Sequence, residues 1–154
     1  EDAAARIRAA RAAANAAGVA IVINARIDLY LKHVGDDATR LTETVRRAEA
    51  YLAAGADCIF VFGVADMEVI KRLTAAIKAP VNVVGRAGMP GLKELQAAGV
   101  ARVSIASGAA MVVMSQIRDI AGELRQKGQF DMLKASMTRI EAQKLFAKNE
   151  GERR

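Results

Sequence analysis

The chain of 154 residues contains one cysteine, one histidine and no tryptophan. Cys58 therefore has no partner for an internal disulfide, which fits a reducing, cytoplasmic setting. His33 stands beside Lys32, with no acid-rich cluster at ligand spacing around it. It reads as a surface-loop residue, not as a metal ligand or general base, and no Ser-His-Asp set is visible. Aromatic residues make up only 4%, which argues against stacking platforms for single-stranded nucleic acid. No apolar run approaches the roughly 20 residues of a membrane span, and residues 1–17 are charged and helical in pattern, unlike a signal peptide.

What the chain does have is alanine and charge. Hydrophobic residues reach 53%, but 33 of them are alanines, so the larger apolar residues stand at about a third of the chain, the level of an ordinary soluble protein. The net charge is +6, from 23 basic and 17 acidic residues scattered along the whole length. No basic stripe is present, so the charge reads as solubility and not as a nucleic-acid surface. The length suits one average domain with a real core.

One tripeptide organises the sequence. Ala16-Ala17-Gly18, Ala53-Ala54-Gly55 and Ala97-Ala98-Gly99 each end an alanine-rich helical stretch, the glycine supplying the left-handed residue that stops it. Each precedes a short apolar strand, at residues 20–24, 58–61 and 102–106, and a fourth strand at 81–84 follows Pro80. Runs such as Ala-Ile-Val-Ile and Cys-Ile-Phe-Val are apolar on both faces, the pattern of buried parallel strands. Helices are expected over residues 39–53, with Leu41, Val45, Ala48 and Leu52 inward, and over 67–77, capped by Asp66. Pro90 is expected to start a short helix through Leu95. A longer one follows Ser107 as far as Lys127 and Gly128, and two short helices fall within 131–148. Strand–helix alternation of this kind means an α/β fold. A (β/α)8 barrel takes eight such units and about 250 residues. Four units fit half a barrel or a small open sheet.

The residues at these strand ends resemble a known family. Ile23-Asn24-Ala25-Arg26-Ile27-Asp28 is similar to the "NARTD" strand end of the isocitrate lyase / phosphoenolpyruvate mutase superfamily. The stretch from Arg47 through Ala53-Ala54-Gly55-Ala56-Asp57-Cys58 to Val61 resembles its next helix and strand. Pro80-Val81-Asn82-Val83-Val84 and Leu95-Gln96-Ala97-Ala98-Gly99-Val100-Ala101-Arg102-Val103-Ser104 continue the likeness in order. The resemblance implies the C-terminal half of a (β/α)8 TIM barrel. On it, residues 1–154 form a single partial barrel domain, with 129–154 as a C-terminal helical extension. It also implies lyase or mutase chemistry on C–C or P–C bonds of small 2-oxo or 2-hydroxy carboxylic acids, through an enolate held on Mg2+. The family's metal-binding acids and mobile loop belong to the other half of the barrel. Cys58, inside a strand, is not the loop cysteine of the lyase branch.

The resemblance and the residues together nominate a site. Arg26 stands at the C-terminal end of a strand, where barrel active sites gather, and a guanidinium there can grip a carboxylate with two parallel hydrogen bonds and stabilise enolate charge. The family's matching Arg contacts substrate. Asp28, two residues on, shares the face of Arg26 and would orient it, or else cap a turn. Asn24 lies deeper, as a satisfied buried amide. Asn82 would donate to a carboxylate or oxyanion, or be a buried amide satisfied by backbone. The family's Thr is replaced by Ile27. Phe62 stands where well-studied branches carry Glu or His, so the substrate is more apolar at that end or chemistry has been lost; Gly63 permits the turn. Ser107, ahead of Gly108, caps the following helix, or the turn holds an anion, as in phosphate-binding barrel synthases. Arg86, in a Gly-rich loop, lines the site mouth or is solvated, and Met111 and Met114 are core or interface packing. Three functions follow: a Mg2+-dependent lyase or mutase, a phosphate-binding synthase, or an inactive half-barrel that self-associates. The expected partners are a small carboxylic acid and further copies of the chain, with no nucleic acid and no membrane.

Overall fold

The computed structural model describes residues 1–134 and 137–146. They form two compact units. The first, Glu1–Ala106, runs α1 (Asp2–Ala16), β1 (Asn24–Ile27), α2 (Asp37–Ala53), β2 (Cys58–Val61), α3 (Met67–Ala76), β3 (Val81–Val84), α4 (Leu92–Ala97) and β4 (Arg102–Ser104). Its four strands make one parallel sheet in the order β1-β2-β3-β4. This is the α/β pattern expected of four consecutive barrel units. The second unit, from Ser107 on, contains α5 (Gly108–Lys127), a 3-10 turn at Asp131–Leu133 and α6 (Arg139–Phe146). Within the expected helical stretch 131–148, residues 135, 136, 147 and 148 lie outside the described residues.

Local chemistry sets most of the boundaries. The Asp36 side chain accepts from the Thr39 amide at 2.8 Å, so α2 begins two residues earlier than its apolar pattern suggests. Asp66 caps α3 as expected, accepting from the Val69 amide at 3.0 Å. Gly18, Gly55 and Gly99 all take positive φ after their helices, and Gly128 does the same after α5. Pro90 does not start α4. Gly91 is its cap, with the Glu94 carboxylate accepting from the Gly91 amide at 2.8 Å. The expected capping by Ser107 also fails, because its side chain makes no cap hydrogen bond.

The first strand is the main correction. It occupies Asn24–Ile27, not residues 20–24. Among the described residues β1 pairs only with β2, and β2 opens at Cys58, opposite Asn24. Before Cys58 the neighbouring chain turns through Gly55, so residues 20–22 have no ladder to join. Val22 is accordingly 75% exposed, the opposite of a strand buried on both faces. At the other end of the sheet, β4 stops at Ser104, two residues short of expectation, and Ala106 takes a positive φ.

The core lies on the helix side of the sheet. Ala25, Ile27, Ile59, Val61, Val81 and Val83, alternate strand positions on one face, cluster with Ala4, Ala48, Tyr51, Ile70, Leu73 and Leu95 from the four helices. Ile27, Ile59, Ile70, Leu73 and Leu95 are at most 1% exposed. Each such burial stabilises the fold by about 1.5–3 kcal/mol. On α2 the deeply buried positions are Thr44, Ala48 and Tyr51, with Leu41, Val45 and Leu52 only half-buried beside them. Thr44 is tolerated because its hydroxyl donates to the Arg40 carbonyl at 2.7 Å.

Arg11 ties α1 to the start of the sheet. It donates to the carbonyls of Gly55 and Ile21 and to the Asp57 carboxylate. The Ile23 amide donates to the same carboxylate at 2.7 Å. That backbone bond, aided by Arg11, holds the Asp57 carboxyl below the usual carboxylate range.

Candidate active site

The second face of the sheet carries different chemistry. Arg26 is in register with Phe60, and Phe60 with Asn82. In-register positions of parallel strands share a face, so this row looks away from the helix-side core. Asn24, Cys58, Val84, Arg102 and Ser104 have the same parity. Among them Arg26 and Arg102 are exposed, whereas Cys58, Asn82 and Val84 are buried. Burial pushes the Cys58 thiol above its ordinary pKa, although Arg102 pulls the other way. A neutral thiol inside a strand is a packing group, as expected.

Arg26 is held on two sides at the C-terminal end of β1. Its Nε donates to Asp28 Oδ1 at 2.5 Å, which brings the two side chains together. The guanidinium carbon lies 3.8 Å above the centre of the Phe62 ring. Phe62 in turn meets Phe60 edge to face, centroids 5.2 Å apart and planes at 68°. Gly63 makes the turn beyond Phe62 with a φ of 93°. A side chain there would collide with Leu31, whose backbone nitrogen would lie 2.6 Å from the added carbon. The two loops that follow β1 and β2 are therefore packed backbone against backbone.

Asn82 is completely buried, and both ends of its amide are engaged. Its Nδ2 donates to Ser104 Oγ at 3.0 Å, and the Ser104 hydroxyl donates to Asn82 Oδ1 at 3.1 Å. The partner is thus a side chain on β4, not backbone. The structure brings Arg26 and Asp28 together and places Asn82 two strands away, closed off by Ser104. Asn24 differs from expectation, since its Oδ1 is buried without a hydrogen-bond partner among the described residues. Tyr30 Oη, in the loop after β1, is in the same position. Burial raises the Tyr30 pKa against the opposing charge of Arg40, whose guanidinium lies 5.6 Å from the ring centre. His33 and Arg86 are exposed. Met111 and Met114 are 57% and 61% exposed, so neither packs in a core.

Sequence reasoning missed two roles. Phe62 serves as the platform for Arg26, and Ser104 is the partner that closes Asn82. Strand parity supplied a signal for the second, because Asn82 and Ser104 fall on the same face. Nothing local signals the first.

Magnesium needs several oxygen ligands in octahedral geometry. Asp28 is the carboxylate beside Arg26, and its Oδ1 is already held by that residue. Among the described residues no three acidic, cysteine or histidine side chains converge as a metal site. They do not fit a resident Mg2+ on their own. No helix among the described residues is long and apolar enough to cross a membrane.

Comparison with known proteins shows the family and the fold. The chain is 43% identical to a Burkholderia cenocepacia J2315 protein provisionally called a phosphonomutase, with a TM-score of 0.73 over 78% of this chain and 49% of that one. It is 34% identical to a provisional lyase/mutase from the same organism, with a TM-score of 0.81 over 96% and 52%. Among curated proteins it is 29% identical to oxaloacetate decarboxylase 2 of Pseudomonas fluorescens (strain Pf0-1), over 82% of this chain and 40% of that protein. The chain thus spans about half or less of the length of these relatives, and its four strand–helix units correspond to half of their barrel. The phosphoenolpyruvate phosphomutase family profile matches residues 1–125, four-fifths of the chain and all four strands, and the chain belongs to that family.

Proposed function

We propose that this chain supplies the carboxylate-holding strand ends of an enzyme that cleaves or rearranges C–C or P–C bonds of small 2-oxo or 2-hydroxy carboxylic acids through an enolate. The observation that carries the reading is the state of Arg26. Its Nε is spent on Asp28, one face lies on Phe62, and its Nη groups have no hydrogen-bond partner among the described residues. A guanidinium fixed in this way offers a planar pair of N–H donors matched to a carboxylate. Held there, it would also stabilise negative charge spreading from the adjacent carbon as an enolate forms. Asp28 is a positioning residue, aligning Arg26 without touching substrate. Asn82 reaches a ligand only by exchanging Ser104 for it, since both amide ends are occupied. The P. fluorescens relative is named for action on oxaloacetate, a 2-oxo dicarboxylate, which supports the substrate class. Family resemblance adds Mg2+, which would supply further stabilisation of negative charge when bound. The described residues do not form its site, and what this chain itself supplies is the grip of Arg26 and its alignment by Asp28.

Self-association is part of the reading. On α5, Met111, Val112, Val113, Met114 and Ile117 are all more than half exposed, and exposed apolar side chains in this number favour contact with a further copy. The test is incubation with Mg2+ and a panel of 2-oxo acids, isocitrates and phosphonates. Any turnover of a panel member is expected to fall by roughly 10²- to 10³-fold in Arg26→Ala. Turnover that survives Arg26→Ala contradicts the reading. Binding without any turnover would favour the inactive, self-associating half-barrel.

A further inference from the structure

The edges and faces of the Arg26 guanidinium are not equivalent. One edge is closed by Asp28 and one face by the Phe62 ring, while the Nη edge stays open. The ring itself has little freedom. Phe60 braces it edge to face, and the Gly63 turn behind it is locked against the Leu31 backbone. Any carboxylate on the Nη edge therefore has an aromatic flank, made by Phe62 and continued by Phe60, both half-buried. Such a flank offers no hydrogen-bond donor to a second anionic group, which would give up its hydration there without replacement.

We infer that Phe62 determines specificity at this site. It positions Arg26 and selects 2-oxo or 2-hydroxy monocarboxylates bearing an alkyl or aryl substituent over acids with a second carboxylate or a phosphonate. The inference rests on the proposal that Arg26 holds the substrate carboxylate. It narrows that proposal, because the named relative acts on a dicarboxylate whereas the Phe62 flank is built for a substrate with one acid.

The experiment is calorimetric titration of the chain with oxalate, 2-oxobutanoate, phenylpyruvate, oxaloacetate and phosphonopyruvate, using wild type, Phe62→Leu, Phe62→His and Arg26→Ala. Circular dichroism confirms that each variant folds. Wild type is expected to bind 2-oxobutanoate or phenylpyruvate at least tenfold more tightly than oxaloacetate, whose second carboxylate finds no donor on the aromatic flank. Phe62→Leu keeps that order but weakens every ligand by about two- to fivefold, the worth of an exposed cation–π contact. It also removes the ring-current shift of the Arg26 Nε proton in NMR spectra. Phe62→His reverses the order. Wild-type preference for oxaloacetate or phosphonopyruvate overturns the inference, and so does an unchanged order in Phe62→His. Failure of oxalate to bind, or equal binding by Arg26→Ala, overturns instead the assignment of Arg26 on which it stands.

Discussion

Replacing Gly63 with alanine tests how firmly the site is anchored. Gly63 follows Phe62 directly and has a φ of 93°, a region costing an L-residue about 1–2 kcal/mol. The added methyl would also lie 2.6 Å from Leu31 N and 2.8 Å from Leu31 Cα, both backbone atoms of the loop after β1. No rotamer change relieves that contact, so a strand end or a loop must shift, at a further cost of about 1–3 kcal/mol. The sum is about 2–5 kcal/mol. Gly18 is the matched control. Its φ is 66°, and nothing lies within 4 Å of the position a methyl would take, so Gly18→Ala carries the conformational cost alone. The chain has no tryptophan, so urea unfolding is best followed by far-ultraviolet circular dichroism. At a typical slope, Gly63→Ala lowers the midpoint by about 1–2 M, clearly more than Gly18→Ala. Equal losses in the two variants would refute the packing of the two loops, and with it the fixed position of Phe62.

Two further predictions concern buried and charged pairs. Ser104→Ala leaves the fully buried Asn82 amide without partners and costs about 1–3 kcal/mol in urea unfolding. Combining it with Asn82→Leu recovers part of that loss, and strict additivity of the two would contradict the pairing. The Glu43 carboxyl is lowered to about 2, chiefly by hydrogen bonds from Arg46 and then Arg47. Its folded pKa lies below the ordinary value, so its stabilising contribution is present above pH 4.5 and disappears as pH falls toward 2. An NMR titration of the Glu43 side chain should show the low value in wild type and an upward return in Arg46→Ala, and an ordinary value in wild type would contradict the pairing.

How much of this was readable in the sequence depended on how local each cause is. Cys58–Val61 and Val81–Val84 became strands where expected because a continuous apolar run in a central strand is buried on both faces. The run at residues 20–23 has the same composition. It fails as a strand because pairing on an edge depends on where the partner begins, and β2 begins only at Cys58. Asp66 was recognisable as a cap, since the geometry lies within four residues. Ser107 has the same residue signature but follows a left-handed Ala106, and its side chain does not cap. At the site, Arg26 and Asp28 are two residues apart, and alternation alone puts them on one face. The stack on Phe62 joins residues 36 positions apart, and no periodicity or propensity encodes it.

The proposed chemistry stands or falls on whether the free edge of Arg26 holds a carboxylate. A crystal structure of the chain grown with oxalate decides this. Oxalate should lie flat against the Nη edge of Arg26, with Asp28 still on Nε and Phe62 still beneath the guanidinium. Oxalate seated elsewhere, such as at the start of α5 beside Ser107 and Gly108, or absent from Arg26 altogether, would contradict that role.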